Sequence, residues 1–456
     1  MKHFTLILTV ILLMMTSMGA KAQDISYENC VAVDGLGYAL DKTAKTAAVV
    51  SSNLIDEEGN RLCDRYTGDV IVPETITVEG VSYTVTALDE MAFAMTEITS
   101  LKLPSTIKKM GYRAVSFCLN LKKANLPAEV EELGQRSFSS CPRLVDFTVD
   151  EGNKHFVLES NMLMSADRTR VVHLFGAGDE NKNVSVTVPS TVKTIDEAAF
   201  GYSLGMKEIT LPEGLEEIKA MAFFVSGLTS LTIPSTVTFI GEGFVEESQN
   251  LKEIVVAEGN KSYKMEDGML LDADMTKLYR VLPECETLTI PETVTRICKG
   301  AIEFTDLTTL VIPNTVKEIA TFAVSDNPQL HTLVIGNGLN VIEQFTFCSN
   351  NAIQSIFVRS KQPAELEKEA FYGKALEETA TLYVPEGSKE LYATAPNWEN
   401  FKNIEEYSFT DISSVKTDSN TPAEQIYGID GKRRDSLRRG LNIVRSSGKV
   451  RKVMNN

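Results

Sequence analysis

The apolar positions of this chain recur as a phrase, not as a simple helical or strand period. The phrase reads LKLPSTIKKMGYRAVSFCLNL from Leu101, TVPSTVKTIDEAAFGYSLGM from Thr187, ITLPEGLEEIKAMAF from Ile209, LTIPSTVTFIGEGF from Leu231 and LVIPNTVKEIATFAV from Leu310. The steps from Pro104 to Pro127, Pro189 to Pro212, Pro212 to Pro234 and Pro291 to Pro313 are 22 or 23 residues, and Gly336 keeps the register where Pro is lost. Repetition at that period predicts an array of coils, none of which can bury its own apolar face without a neighbour.

Each copy carries a large apolar residue at one slot: Phe93, Val115, Phe138, Phe200, Phe223, Phe244, Ile302, Val324, Phe347 and Phe371. The residue before it is Ala, Ser, Gly or Thr every time. A small residue beside a large inward wedge lets coils approach at the ~4.8 Å strand spacing while the ring fills the interior. Beyond the wedge comes apolar-x-x-apolar-x-apolar-Pro, as in Leu228, Leu231, Ile233 and Pro234, which reads as a short strand ended by a residue that cannot donate to a ladder. The predicted fold is therefore a β-rich solenoid of right-handed stacked coils with one long parallel sheet. Ten coils give it an axis of roughly 50 Å.

Two copies carry insertions with a shared grammar. Glu151-Gly152-Asn153-Lys154 matches Glu258-Gly259-Asn260-Lys261, and Ser165-Ala166-Asp167-Arg168-Thr169 matches Asp272-Ala273-Asp274-Met275-Thr276. Both read as β-hairpins with an Asp-containing turn. Asp272 and Asp274 do not make a calcium loop, because that needs more oxygen ligands and the first copy has Ser165.

Over residues 66–406 the array resembles the BspA-like, Treponema-type leucine-rich repeats common in exported proteins of Bacteroidetes and in some protist surface proteins. Their pattern, L-x-x-I-x-I-P-x-x-V-x-x-I-G-x-x-A-F-x-x-C, is followed closely by residues 121–141 and 209–223. Departures are Gly336 for Pro and Val115, Ile302 and Val324 for Phe. Residues 66–73 resemble the family's opening cap, and residues 382–404 its closing cap, with the only Trp, Trp398, expected to cover the last coil.

Ahead of the array, Lys2 and His3 precede an apolar run and then the small-residue triplet Ala20-Lys21-Ala22, which predicts a secretory signal cut between Ala22 and Gln23. The apolar run is shorter than the ~20 residues a spanning helix needs, and no later segment is long and apolar enough. After a Ser/Thr/Asp-rich linker the charge changes sign. Residues 424–456 hold nine Lys and Arg against three Asp and Glu, whereas residues 23–423 hold 34 against 59. Around Asp430-Gly431 the tail alternates apolar and polar residues, a hairpin signal. It resembles the C-terminal sorting domain of Bacteroidetes type IX secretion, with Asn442 where Tyr or Phe is usual. The organisation read here is a signal peptide at 1–22, an N-terminal β cap at 23–85, repeats at 86–384, a closing cap at 385–410, a linker at 411–423 and a sorting tail at 424–456.

The net charge of -17 opposes nucleic-acid binding, which needs a basic surface. Seven scattered cysteines form no disulfide framework. Cys118 and Cys141 share a slot of neighbouring coils and read as small buried hydrophobes, with a bridge as the alternative; a Cys30 to Cys63 bridge is left open. His155, His173 and His331 are too dispersed to ligate a metal, and each reads as a partly exposed strand or hairpin residue. No nucleophile elbow, phosphate loop or Cys-x-x-Cys occurs, so neither catalysis nor a cofactor is expected.

What remains is a monomeric, exported binding protein recognising host protein, another microbe or a glycan, the alternative being a structural component of the envelope. In each strand the residue between the last two apolar slots should face solvent, giving the column Lys102, Asn125, Thr148, Thr210, Thr232, Val255, Val311, Val334 and Phe357. Its apolar end, Val255, Val311, Val334 and Phe357 with His331 and Gln354 beside it, is the predicted ligand stripe.

Overall fold

A computed structural model describes residues 29–54, 60–284, 288–373 and 376–408, together with the tail strands Gln425–Gly428, Arg433–Arg434, Gly440–Ser446 and Lys449–Asn455. The predicted signal cleavage at Ala22 and Gln23, the linker and the Asp430-Gly431 turn lie outside these residues. The described residues fall into two compact units, divided between Ser262 and Tyr263. Each is a stack of β coils, and among the described residues helix is confined to the short segments Leu376–Thr379, Lys389–Thr394 and Trp398–Asn400.

The coils contribute a longer strand and a two-residue strand, so the structure builds two main ladders where the sequence predicted one, and in the second unit Ile302–Glu303 pairs with Val324–Ser325 as a third. The longer strands pair in parallel, as in Thr67–Ile71, Glu97–Lys102, Lys123–Leu126 and Asp146–Val149. Two-residue strands such as Lys109–Met110 and Glu132–Leu133 pair on a second side of the coil. Neither ladder is continuous. The long strands fall into separate parallel runs, of which Val184–Thr187 with Met206–Thr210 and Ser230–Ile233 with Glu253–Val256 are two.

The insertions are three-stranded meanders and not single hairpins. Phe156–Glu159, Met162–Ser165 and Arg170–Leu174 form the first; Tyr263–Glu266, Met269–Asp272 and Lys277–Val281 form the second. The last strand of each turns parallel and joins the short-strand ladder, Val171 opposite Ile195 and Leu278 opposite Ile297. The N-terminal cap repeats the device: Cys30–Val33, Leu36–Asp41 and Thr46–Val49 meander, and the third strand pairs in parallel with Val81–Leu88. In all three meanders an Asp carboxylate accepts backbone N–H bonds at the turn: Asp41 from Thr43 and Ala44, Asp167 from Thr169, and Asp272 from Thr276 and Lys277. These carboxylates are turn formers.

All ten predicted wedges are buried, at 2% exposure or less. Their N–H groups bond the carbonyl of the small residue one coil on, Phe93 to Ala114, Val115 to Ser137 and Phe200 to Ala222, at 2.7 to 2.8 Å. The rings stack, Phe200 on Phe223 at 5.4 Å and Phe347 on Phe371 at 5.1 Å. One register is corrected. Phe223 N–H donates to Phe244, which places Phe244 in the small-residue slot and Val245 in the wedge slot. Two further regularities agree. Left-handed residues flank each wedge symmetrically, Arg113 and Phe117 about Val115, Gly243 and Glu247 about Val245. Three residues after the wedge a polar side chain caps the wedge carbonyl of the preceding coil: Cys118 on Phe93, Cys141 on Val115, Ser248 on Phe223, Asn327 on Ile302 and Asn350 on Val324.

Cys118 and Cys141 are thus buried and used as donors, which decides against a bridge; Cys30 and Cys63 form no disulfide with each other either. Burial pushes the Cys141 thiol well up, so it stays protonated and unreactive. Coil approach is close enough to demand glycine at the corner: a Cβ on Gly241 would lie 2.2 Å from the Ala220 nitrogen. Trp398 closes the second unit as expected, buried edge-on to Phe371 with its indole N–H donating to Ala364.

Candidate recognition face

The chemistry that the fold exposes in a regular way lies on the outward side of the long strands. In the first unit, Ser185 pairs with Glu208 and Thr187 with Thr210, then Ser230 with Glu253 and Thr232 with Val255. All eight are exposed, while Val186, Leu231, Ile233 and Ile254 between them point into the core. Alternation along each strand produces this, and the repeat copies it from coil to coil. The result is a pleated face of hydroxyls and carboxylates with Val255, 43% exposed, at one end.

The predicted stripe divides between the two units. Val255 belongs to the first unit and is open; Val311, in the second unit, is half-buried. Val334 and Phe357 are buried at 0% and 3% exposure, which corrects the expectation that they face solvent. Phe357 is covered by aromatic neighbours: its ring stacks on Tyr383 at 4.4 Å and meets Tyr407 edge-on at 5.3 Å, and the Tyr407 hydroxyl donates to the Val358 carbonyl. His331 is half-buried and Gln354 exposed, at the turns leading into these strands. Asn125, another member of the column, is also buried. Its amide bonds the Leu103 backbone and the Asp150 carboxylate, so it folds along the strand.

Of the histidines, His155 is exposed and His331 half-buried, but His173 is buried, contrary to expectation. It packs edge-on to Phe175 at 4.8 Å. Burial lowers its pKa from the ordinary 6.5 to about 4, against the opposing effect of its hydrogen bond to the Ala198 backbone. The imidazole is therefore neutral in the fold at pH 7. Between pH 6.5 and 4 the unfolded chain takes up a proton that the folded chain refuses, so this group's contribution is present above 6.5 and lost as the pH falls toward 4. The whole shift is worth about 3 kcal/mol. Asp326 acts with opposite sign: burial raises its pKa to about 6, so it favours the fold at low pH and loses that contribution as the pH rises through 6. Comparing His173→Phe with the parent isolates the histidine. Thermal unfolding should show the variant gaining on the parent as the pH falls from 7 to 4.5, and a constant difference would contradict a neutral buried His173.

Among the described residues no group of three or more His, Cys, Asp or Glu could hold a metal ion. A cleft where the last coil meets the closing cap is lined by Glu367, Glu369, Glu377, Asn397, Asn400 and Lys402. Leu366, Ala370, Phe371 and Tyr372 also line it, so its lining mixes apolar side chains with charges of both signs.

Residues 75–165, 179–279 and 275–395 match the BspA type leucine rich repeat region, in six copies. The chain belongs to that family. The BspA-type chain is also similar to several solved structures. A leucine rich cell surface protein from Faecalibacterium prausnitzii A2-165 is 21% identical over 83% of this chain and 95% of its own, with a TM-score of 0.46. The pneumococcal vaccine antigen PcpA is 18% identical over 84% and 99%, with a TM-score of 0.35. A leucine-rich repeat protein from Bacteroides ovatus ATCC 8483 is 16% identical over 84% and 93%, with a TM-score of 0.27. No curated protein matches the BspA-type chain. Among its described residues no helix is long and apolar enough to cross a membrane.

Proposed function

We propose that this BspA-type chain is an exported, surface-displayed recognition protein that binds a protein or glycan without chemically altering it. The observation that carries the reading is the open ladder of Ser185, Glu208, Ser230 and Glu253 beside Thr187, Thr210, Thr232 and Val255. Hydroxyls, carboxylates and one apolar end held in register on a rigid sheet offer a ligand a preorganised set of hydrogen-bond partners. Export fits the N-terminal pattern ending at Ala22 and Gln23. The basic tail fits sorting by a type IX route, and with it a source among Bacteroidetes. Monomeric binding fits the acidic solenoid, which repels its own copies.

The test uses the chain from Gln23 to Asn456 against immobilised matrix proteins, a glycan array and whole bacterial cells. Binding to one class is expected, with at least a tenfold loss, roughly that of a hot-spot change, in a Thr210→Arg, Thr232→Arg double variant. Glu217→Arg, on the other ladder, should bind as the parent. Equal binding by parent and double variant would move the site off this face. Self-association with no binding to any class would favour an envelope scaffold.

A further inference from the structure

In the second unit the corresponding face is closed. Thr332–Ile335 is buried throughout: Leu333 and Ile335 point into the coil, yet Thr332 and Val334 on the outward side are buried at 5% and 0% exposure. The matching outward residues of Ser230–Ile233, Ser230 and Thr232, are exposed. Register does not account for the difference, since Thr332 lies between Thr309 and Ser355, and Val334 between Val311 and Phe357, as in any coil. Tyr383 and Tyr407 cover the Phe357 end, and something else lies over the strands before it.

The chain supplies it. Strand Gly440–Ser446 of the C-terminal tail comes alongside Thr309–Val311. It pairs with both Gln425–Gly428 and Lys449–Asn455, so the tail arrives as an antiparallel sheet with this strand inside it. The tail belongs to the same compact unit as the strands it meets. Its composition suits the contact, with nine Lys and Arg against three Asp and Glu beside a chain of opposite sign. The outward column also turns from Thr210 and Thr232 to Val311, Val334, Phe357 and Tyr383, and an apolar column in register suits cover by another sheet better than contact with water.

We propose that the C-terminal sheet is a built-in cover for the face formed by Val311 and, beside it, Thr332 and Val334, and that this face becomes available to a partner only when the tail leaves it. The cover is independent of the recognition reading; its consequence for a ligand rests on that reading.

Thr332→Cys and, as an open reference, Thr232→Cys are introduced separately into the full chain with a protease site added within residues 411–423. Alkylation is followed by mass at the substituted peptide. In the intact chain Thr332→Cys should react about tenfold or more slowly than Thr232→Cys, as expected for a site reached only by local opening. After cleavage, and removal of the tail by gel filtration in high salt, its rate should rise to that of Thr232→Cys. Equal rates in the intact chain overturn the proposal, as does protection that survives loss of the tail. Val334→Cys gives the same readout should Thr332→Cys fail to fold. Cleaved and intact chains then go onto the ligand panel. A tail-dependent cover with no binding by either sample sinks the recognition reading alone.

Discussion

Truncating Phe223 to Ala should cost about 3–5 kcal/mol, as for other buried aromatic residues. The ring is fully buried and lies nearly parallel to Phe200, 5.4 Å away at 11°. Stacking against a ring of the neighbouring coil adds to the loss, by about 0.5–1.5 kcal/mol. The backbone around it leaves little room to collapse, because Phe223 N–H is held by Phe244 and Phe200 N–H by Ala222, at 2.7 and 2.8 Å. In a solenoid the damage should stay local, since each coil touches only its neighbours. Denaturant unfolding should therefore shift to lower midpoint and broaden. Hydrogen exchange should show the loss of protection concentrated in residues 198–250. Val115→Ala, a smaller cavity at the same slot, should cost less. A Phe223→Ala protein melting with the parent would mean that the wedge register is wrong.

That register is the part of the fold most legible in the sequence, because a slot recurring every 22 or 23 residues is constrained by two neighbours at once. Where the reading slips, at Phe244, two apolar residues stand side by side after Gly243, and ring size favours the wrong one. The signal that corrects it is polar: Ser248 stands three residues after Val245, as Cys118 stands after Val115, and both cap the wedge carbonyl one coil back. Periodicity in apolar residues shows that coils exist; the small polar residues show where each begins. The two-residue strands were not legible. Lys109–Met110 and Glu132–Leu133 are too short to show alternation and exist only because the neighbouring coil offers the pairing partner.

The candidate site was legible in position and misread in state. Alternation correctly placed Thr210, Thr232 and Val255 outward and exposed. The same rule places Val334 and Phe357 outward, but outward from a sheet is not the same as exposed when another part of the chain lies over it. The change from Thr to Val and Phe along the column was visible, and its physical meaning was cover. Tyr383 continues the column beside Phe357, and Tyr407, which closes on its edge, comes from the closing cap 50 residues away, a distance at which no local pattern speaks.

The second large effect concerns a pair that the aligned insertions conceal. Arg170, Val171, Val172, His173 and Leu174 match Lys277, Leu278, Tyr279, Arg280 and Val281, so His173 and Arg280 occupy one slot, paired with Leu163 and Leu270 respectively. Both bond the backbone at the same corner of the next coil, His173 at Ala198 and Arg280 at Gly300. The histidine can lose its charge on burial and does, and the residue across from it is Gly201. A guanidinium keeps its charge. Its slot therefore carries a counter-charge in Gly201's position: Glu303, bonded directly to Arg280, with both side chains fully buried. Removing the carboxylate alone should be severe. Glu303→Leu leaves a buried cation without its anion and should cost about 3–5 kcal/mol. Replacing both, Arg280→Met with Glu303→Leu, removes the desolvation cost along with the attraction and should return stability to within about 1–2 kcal/mol of the parent. Chemical unfolding of the two single variants and the double, with hydrogen exchange at residues 278–303, measures the coupling. Additive losses in the double variant would show that Arg280 and Glu303 act independently and that the Gly-to-Glu exchange opposite this slot is coincidental.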